Sequence, residues 1–432
     1  VEPKKQIEIQ LGHMCNNRCV FCVSGQQTAV GGAGVADMAP VLAELARARA
    51  QGHAKVTLLG GEPTLQPGFP DVVRRAVALG FEEIVVFTNG VRTAREGFLD
   101  EIRAIGAGKL TWRISLQGAT EASHERTTLK DGSFGRILRT LSALHARGER
   151  VTVNMCVVRS NYASVSAFPA LLLPFGVTQL HLDMVRPSDA GQRTEDDLRA
   201  MIPRYSDMVP ALTAMVRGFP EGFDVNIGNL PYCVAPHLAP FVHHDGEATV
   251  TVTVDDEGER STPWDKYAVK RRDKSKPESC SACALTAQCS GVFDVYRQFY
   301  GVEELVPITR ERLREIDPEG RLLPKVEAPA PVLTQAVARS IGIRLARLRQ
   351  RAPFGALVWG DVTVSEGGGR AEIGFDGPAG ERATVWLTEA AGRAAGGYRV
   401  DAGGATPALV EGLREIMDAL RVRPGLVARA AG

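Results

Sequence analysis

The sequence predicts an α/β chain: a (β/α)6 partial TIM barrel, then a small hairpin region, then a C-terminal α+β module. Three observations carry this prediction. Over roughly the first two hundred residues, six short apolar or alternating runs take turns with amphipathic stretches. After residue 220 that alternation gives way to a hairpin pattern and a group of cysteines. A Pro- and Ala-rich stretch, "PKVEAPAPV", then sets off the remaining residues as a linker would. The resulting boundaries are 1–220, 221–323 and 332–432, and a chain of 432 residues is long enough for two or three cores.

Taken in order, the candidate strands are "KQIEIQL", "KVTLLG", "EIVVFTN", "LTWRISLQG", "VTVNMCVV" and "LHLDMV". Segments such as "MAPVLAELARARAQG" and "FGRILRTLSALHARG" lie between them and end on the glycine expected just past a helix. Consecutive βα units with crossovers of this length imply a parallel sheet, either curled into a partial barrel or open and doubly wound. Strand parity then sorts residues by face. On strand four Leu110, Trp112, Ile114 and Leu116 are apolar, whereas Thr111, Arg113, Ser115 and Gln117 are polar. In a barrel wrapped by helices the apolar set packs outwards, which leaves the polar set in the lumen. The same parity turns Thr152, Asn154 and Cys156 of strand five inwards, and Gln179, His181 and Asp183 of strand six.

Beyond the barrel, "EATVTVTVDDEGERSTPW" alternates through Val254 and then turns on an acidic, Gly-containing loop, as a hairpin does. Residues 332–432 offer a helix, the strands "GALVWGDVTV", "RAEIGFDG" and "RATVWLT", and a last helix, "TPALVEGLREIMDALRV". No chemical motif falls in this module. Lys plus Arg number 51 against 50 Asp plus Glu, so the net charge of +1 gives no global footprint for nucleic acid. No apolar run is long enough to span a membrane, and "VEPKKQIEIQ" has no signal-peptide core, so the expectation is a cytoplasmic protein without a membrane partner. The loop "DKYAVKRRDKSK" carries six basic residues. It reads as a solvated surface run, with contact to an acidic substrate or peptide as the lesser alternative.

The cysteines carry the chemistry. In "HMCNNRCVFCVSG", Cys15, Cys19 and Cys22 stand at C-x3-C-x2-C spacing directly after the first strand. Loops at the C-terminal ends of barrel strands are where active sites form. No fourth cysteine completes the set nearby, so a zinc knuckle would have to borrow its fourth ligand. Three thiolates can instead hold a [4Fe–4S] cluster by three irons and leave the fourth iron open. A second group, Cys280-x2-Cys283-x5-Cys289, admits a structural zinc ribbon with Cys233 as fourth ligand, or a further iron–sulfur site. Cys156 stands alone, either as a small core residue or as a lumen thiol, and His181 with Asp183 reads as a structural hydrogen-bonded pair or a functional one.

Strand two ends in "LLGGEPTL" and strand three in "FTNG". Together with "CNNRCVFC", these residues resemble the radical S-adenosylmethionine (SAM) superfamily, whose signature is C-x3-C-x-aromatic-C followed by a GGEP-type loop. Phe21 holds the aromatic position, and Gly60, Gly61, Glu62 and Pro63 match the second motif. The resemblance spans roughly residues 5–220. It implies that the open iron chelates the methionine end of SAM. One electron then releases a 5′-deoxyadenosyl radical that abstracts hydrogen from a substrate. On this reading Gly60 and Gly61 let the backbone approach SAM, Glu62 accepts from its ammonium, and Asn89, Ser115 and Asn154 contact SAM. The region holding Cys233, Cys280, Cys283 and Cys289 resembles SPASM and twitch extensions. Four cysteines fall short of the seven of a full SPASM domain, which implies one auxiliary [4Fe–4S] cluster. Such enzymes often mature ribosomally made peptides and draw electrons from a flavodoxin or ferredoxin. Alternatives are oxidation or rearrangement of a small metabolite or cofactor precursor, and a non-catalytic metal-binding interaction protein. Asp183, His181 and Cys156 are the candidate substrate-facing catalytic residues.

Overall fold

A ten-stranded sheet positions the cysteine loop. Its strands are β1 (Gln6–Leu11), β2 (Lys55–Leu59), β3 (Glu83–Thr88), β4 (Leu110–Ser115), β5 (Arg150–Val157), β6 (Gln179–Met184), β7 (Asp224–Gly228), β8 (Val242–His243), β9 (Thr249–Val254) and β10 (Trp264–Asp265). The spatial order is β10-β9-β1-β2-β3-β4-β5-β6-β7-β8, and every neighbouring pair is parallel except β9 with β10. The computed structural model describes residues 5–187, 191, 193–244, 249–317, 320, 322, 326, 345, 348, 354–364, 370–390 and 393–420. The chain divides into two compact units. The larger covers Lys4–Pro277 and Ser290–Val306; the smaller holds Glu278–Cys289 and the residues from Pro307 onward.

Within the larger unit the alternation of the later strands becomes burial. On β5, Val151, Val153, Met155 and Val157 are buried, while Thr152, Asn154 and Cys156 are only partly covered. On β6, Leu180, Leu182 and Met184 are buried and the intervening His181 and Asp183 are partly open. Helices such as Phe69–Ala78 and Ser133–Ala146 bury Val72, Val73, Ile137 and Leu141. The polar row therefore lies on the face opposite the helix layer, as parity predicts. Register lines up Ser115, Asn154 and His181 across β4, β5 and β6, and Cys156, Asp183 and Gly228 across β5, β6 and β7.

The sheet runs past the six strands read from sequence. The expected hairpin is present, with Trp264 opposite Thr251 and Asp265 opposite Val250. Its first strand also pairs in parallel with β1, from Gln6↔Thr249 to Leu11↔Val254. Without β9, β1 would present a row of unpaired backbone groups. "TVTVTV" suits that position because Thr251 turns to Glu8 (Oγ1 to Oε2, 3.2 Å) while Val252 and Val254 are fully buried.

The basic run is not a solvated loop. Asp265 caps the helix Lys266–Arg271, accepting from the Ala268 amide at 2.6 Å. Lys266 Nζ then reaches Glu8 Oε1 of β1 at 2.8 Å, and Lys270 Nζ reaches Asp183 Oδ2 of β6 at 3.1 Å. Lys274 donates to Ser290 Oγ at 2.9 Å and to Asn229 Oδ1. Four-residue spacing puts the first two lysines on one helix face. That face looks into the barrel, because both its carboxylate partners are lumen residues.

In the smaller unit, strands Val358–Val364, Arg370–Asp376, Arg382–Ala390 and Arg393–Ala402 form an antiparallel sheet in that order. Helix Pro407–Leu420 contributes Leu409, Leu413 and Ile416 to a core shared with Ile373, Phe375, Val385 and Leu387. The strand Arg393–Ala402 carries no alternating signal. Its Gly397 lies so close to the Trp386 ring that a Cβ there would overlap it. The stretch "PKVEAPAPV", apart from Val326, lies outside the described residues. So does the helix expected ahead of these strands, apart from Leu345 and Leu348.

Candidate active site

The cysteine loop leaves the end of β1 and closes on the helix Val23–Ala29, with Cys22 as its N-terminal flanking residue. It is pinned at several points. The amides of Arg18 and Val20 donate to the carbonyls of Thr128 (2.9 Å) and Thr127 (3.0 Å), and the Cys15 amide donates to Thr28 Oγ1 (3.2 Å). Phe21, half-buried, stands between Val20 and Cys22. All three cysteines are free and partly covered. Burial, reinforced by the Glu62 charge, pushes the Cys15 thiol up to about 12. Burial and the neighbouring Cys22, Cys15 and Cys156 push Cys19 well above the ordinary thiol range. Clustered thiols that resist ionisation alone are the environment a cationic centre reverses. The Asn17 amide and Asn89 Nδ2 lie 3.4 and 3.9 Å from Cys15 Sγ, as donors to a thiolate would. This donor set fits a [4Fe–4S] cluster held by three cysteines.

The loop after β2 packs backbone to backbone against this segment. Gly61 N donates to the Gly12 carbonyl at 3.0 Å, and Glu62 N to the Met14 carbonyl at 2.8 Å. A Cβ at Gly61 would overlap the carbonyl oxygens of His13 and Met14, and Gly60 takes φ +155°. Only glycine fits such an approach.

Glu62 is tied into the backbone and side chains around it. Its side chain is 1% exposed, and its oxygens already accept four hydrogen bonds. Thr64 N, Thr64 Oγ1 and Thr88 Oγ1 donate to Oε1 at 3.1, 2.5 and 2.7 Å, and Asn89 N donates to Oε2 at 2.6 Å. Three of these donors crowd Oε1 and one reaches Oε2, so Oε2 keeps an acceptor site. Burial raises the Glu62 carboxyl above its ordinary value despite them. Glu62 thus staples the end of β3 to the glycine loop, and Asn89 extends the staple by donating to Asn16 Oδ1 at 2.6 Å.

The lumen residues form a second set. Ser115 Oγ accepts from Gln117 Nε2 at 2.6 Å, and Gln117 Oε1 accepts from the Cys156 amide at 2.9 Å. Asn154 sits between Ser115 and His181 in register. His181 Nε2 lies 3.2 Å from Asp183 Oδ2, and Asn229 Nδ2 donates to Asp183 Oδ1 at 2.9 Å. Burial alone would raise the Asp183 carboxyl; Lys270, then His181, outweigh it and hold the group well below the ordinary range. Glu8 behaves alike: Lys266 overcomes burial and lowers it, with Arg113 and Lys270 adding to the effect.

Sequence reasoning missed Glu8, Asn229, His243 and the lysines as lumen residues. The spacing of Lys266, Lys270 and Lys274 was the available signal. Asn229 and His243 carry none, since one is a turn residue at φ +67° and the other lies on a two-residue strand.

The remaining cysteines fall in both units. Cys233 belongs to the larger, beside a turn closed by Val234 N to the Pro231 carbonyl at 3.2 Å. In the smaller unit Cys280 lies in the 3-10 turn Glu278–Ala282, and Cys283 and Cys289 in the segment that follows it. There Cys283 N donates to the Cys280 carbonyl at 3.1 Å and Cys289 N to the carbonyl of the buried Leu285 at 3.0 Å. Among the described residues, no helix is long and apolar enough to cross a membrane.

Comparison with known proteins adds independent findings. Residues 9–166 match the family model described as the radical SAM superfamily. A probable GTP 3′,8-cyclase of Saccharolobus solfataricus is 29% identical over 202 residues, which cover 46% of this chain and 63% of that protein. The chain thus spans somewhat under two thirds of the length of that relative. Mycofactocin maturase MftC of Mycobacterium tuberculosis is 26% identical over 308 residues, 65% of this chain and 76% of that protein. Among solved structures, Streptococcus suis SuiB bound to precursor peptide SuiA aligns with a TM-score of 0.48 at 14% identity. That alignment covers 68% of this chain and 73% of SuiB.

Proposed function

Residues 9–166 match the radical SAM superfamily, and we propose that this chain is an enzyme of that kind, maturing a ribosomally made peptide by hydrogen abstraction. A [4Fe–4S] cluster with bound SAM would supply reductive cleavage of the sulfonium and the 5′-deoxyadenosyl radical. The chain's own residues do the rest. Cys15, Cys19 and Cys22 would hold the cluster, and the close-packed Gly60–Gly61 backbone would let SAM approach closely. Asn89, Ser115 and Asn154 would contact SAM. Phe21 packs within the cysteine loop. Asp183, His181 and Cys156 line the lumen beyond, where they orient substrate and hold or release a proton, a carboxylate beside an imidazole being suited to that work. Cys233, Cys280, Cys283 and Cys289 ligate a second, auxiliary cluster in this reading, and a flavodoxin or ferredoxin supplies the electron.

The observation that carries the proposal is the joining of the cysteine loop to the glycine loop through Gly61, Glu62 and Asn89. The maturase match supports the peptide, because it extends past residue 166 and takes in 65% of the chain. The cyclase relatives favour a second reading, rearrangement of a small metabolite or cofactor precursor. Anaerobically reconstituted protein should hold about eight irons and convert SAM to 5′-deoxyadenosine with dithionite. Replacing Cys15, Cys19 and Cys22 by Ala should end that conversion and leave about four irons. Undiminished cleavage in the triple variant refutes the assignment. Turnover of a precursor peptide against turnover of nucleotides separates the two readings.

A further inference from the structure

We propose that His181, Asp183 and His243 form a binding site for one divalent transition-metal ion in the barrel lumen, separate from the iron–sulfur centres. The donor set is two imidazoles and one carboxylate, the combination that leaves open positions on a first-row metal. Among the described residues, these three bring one ligand atom each to within 4.8 Å of one another. His181 Nε2 and Asp183 Oδ2 are 3.2 Å apart. Two ligands about 2.0–2.2 Å from a zinc ion, at roughly tetrahedral or right angles, stand about 3 Å apart. That pair needs no rearrangement to chelate. The His243 ring lies against the His181 ring, with centroids 4.9 Å apart and planes tilted by 54°, so both imidazoles edge the same space.

The surroundings are built around this trio. Gly228 aligns with Asp183 on one side and His243 on the other, and a Cβ there would overlap Asp183 Oδ1. Asn229, in the left-handed conformation at φ +67°, donates through Nδ2 to Asp183 Oδ1 at 2.9 Å. Its backbone amide also donates to the His243 carbonyl at 3.0 Å. One residue therefore fixes the carboxylate and the strand bearing the second imidazole, as outer-shell partners of metal ligands do. The counter-argument is Lys270, whose ammonium lies 3.1 Å from Asp183 Oδ2 and neutralises it without any metal. A carboxylate oxygen has two lone pairs, so the ion replaces the proton between His181 and Asp183 while Lys270 keeps its own bond, and in the ion-bound form the pair orients substrate without passing a proton. The like charge of Lys270 still weakens the site. Open positions on the ion face the lumen and take an oxygen or nitrogen donor of a bound substrate.

The test does not use SAM turnover, so it stands apart from the proposed reaction. Cluster-loaded protein, with its iron counted, is titrated with Zn²⁺ and followed by metal analysis and zinc X-ray absorption. Wild type should take up one zinc per chain, with nitrogen and oxygen neighbours at about 2.0–2.2 Å and no sulfur at about 2.3 Å. Asp183→Asn and His243→Ala should each lose it with iron content and circular dichroism unchanged. Asn229→Ala should weaken binding by about tenfold or more, and Lys270→Met should tighten it. No zinc in wild type overturns the proposal, and so does zinc that survives in both ligand variants. Sulfur neighbours overturn it too, because the ion would then sit on cysteines.

Discussion

Gly61→Ala tests the junction on which the functional reading rests. The new Cβ would overlap two backbone carbonyl oxygens, those of His13 and Met14. Backbone cannot rotate away as a side chain can, so the strain must move the chain. Overpacking of this kind costs about 1–3 kcal/mol. The segment that must yield runs directly into Cys15 and also accepts the Glu62 amide. The displacement is therefore delivered to the cluster ligands, and a misplacement of about 1 Å is worth roughly a hundredfold in rate. Gly97→Ala is the control. Gly97 lies in helix Glu96–Gly106 with nothing near its Cβ position, so alanine there should be neutral or stabilise by up to about 1 kcal/mol. Iron content, 5′-deoxyadenosine formation with dithionite and thermal unfolding are measured for both variants. Gly61→Ala should lose SAM cleavage by about two orders of magnitude while remaining folded, and Gly97→Ala should lose none. Full cleavage in Gly61→Ala would show that the two loops do not meet as described.

The ion pair between Lys270 and Asp183, with side chains 15% and 25% exposed, lies between surface and buried cases. A double-mutant cycle with Lys270→Met and Asp183→Asn should return a coupling of about 1–2 kcal/mol; a coupling near zero removes the helix Lys266–Arg271 from the lumen. Glu8 and Asp183 are both lowered from ordinary values of 4.5 and 3.8, so their stabilisation is complete above those values and is lost as pH falls through the folded ones. The stability gap between wild type and Glu8→Gln, read by urea unfolding, should hold at neutral pH and close below about pH 4; a gap that widens on acidification contradicts the pairing with Lys266. Iron analysis of the Cys15, Cys19 and Cys22 triple variant should find one auxiliary cluster that Cys233→Ala makes incomplete. One zinc and no iron there would establish the zinc ribbon instead.

How far the sequence was legible depends on the kind of signal each part leaves. The parity of β4, β5 and β6 could be read because helices cover one face and a polar lumen lies on the other. Each strand therefore states its orientation in two or three residues, and Asp183 and His181 share the lumen as that rule requires. The cysteine and glycine loops were legible for a different reason, since spacing alone brings three thiols together and a double glycine marks close backbone contact. Illegible parts depended on partners distant in sequence. Nothing local says that "TVTVTV" pairs with β1 some 240 positions earlier, because hairpin strands and barrel strands alternate alike. Nor does composition distinguish a solvated lysine from one 2.8 Å from a buried carboxylate. Glu8 was the other half of that signal. A lone charge at the centre of an apolar strand, 4% exposed, needs a cation within reach, and a chain with 51 basic residues does not say which. Glu62 shows the converse. Its motif points to a ligand, and Thr64, Thr88 and Asn89 decide how: they fill Oε1 and leave Oε2 with one acceptor site. A motif fixes which residue type a site needs, and only its neighbours fix which atoms remain for the ligand.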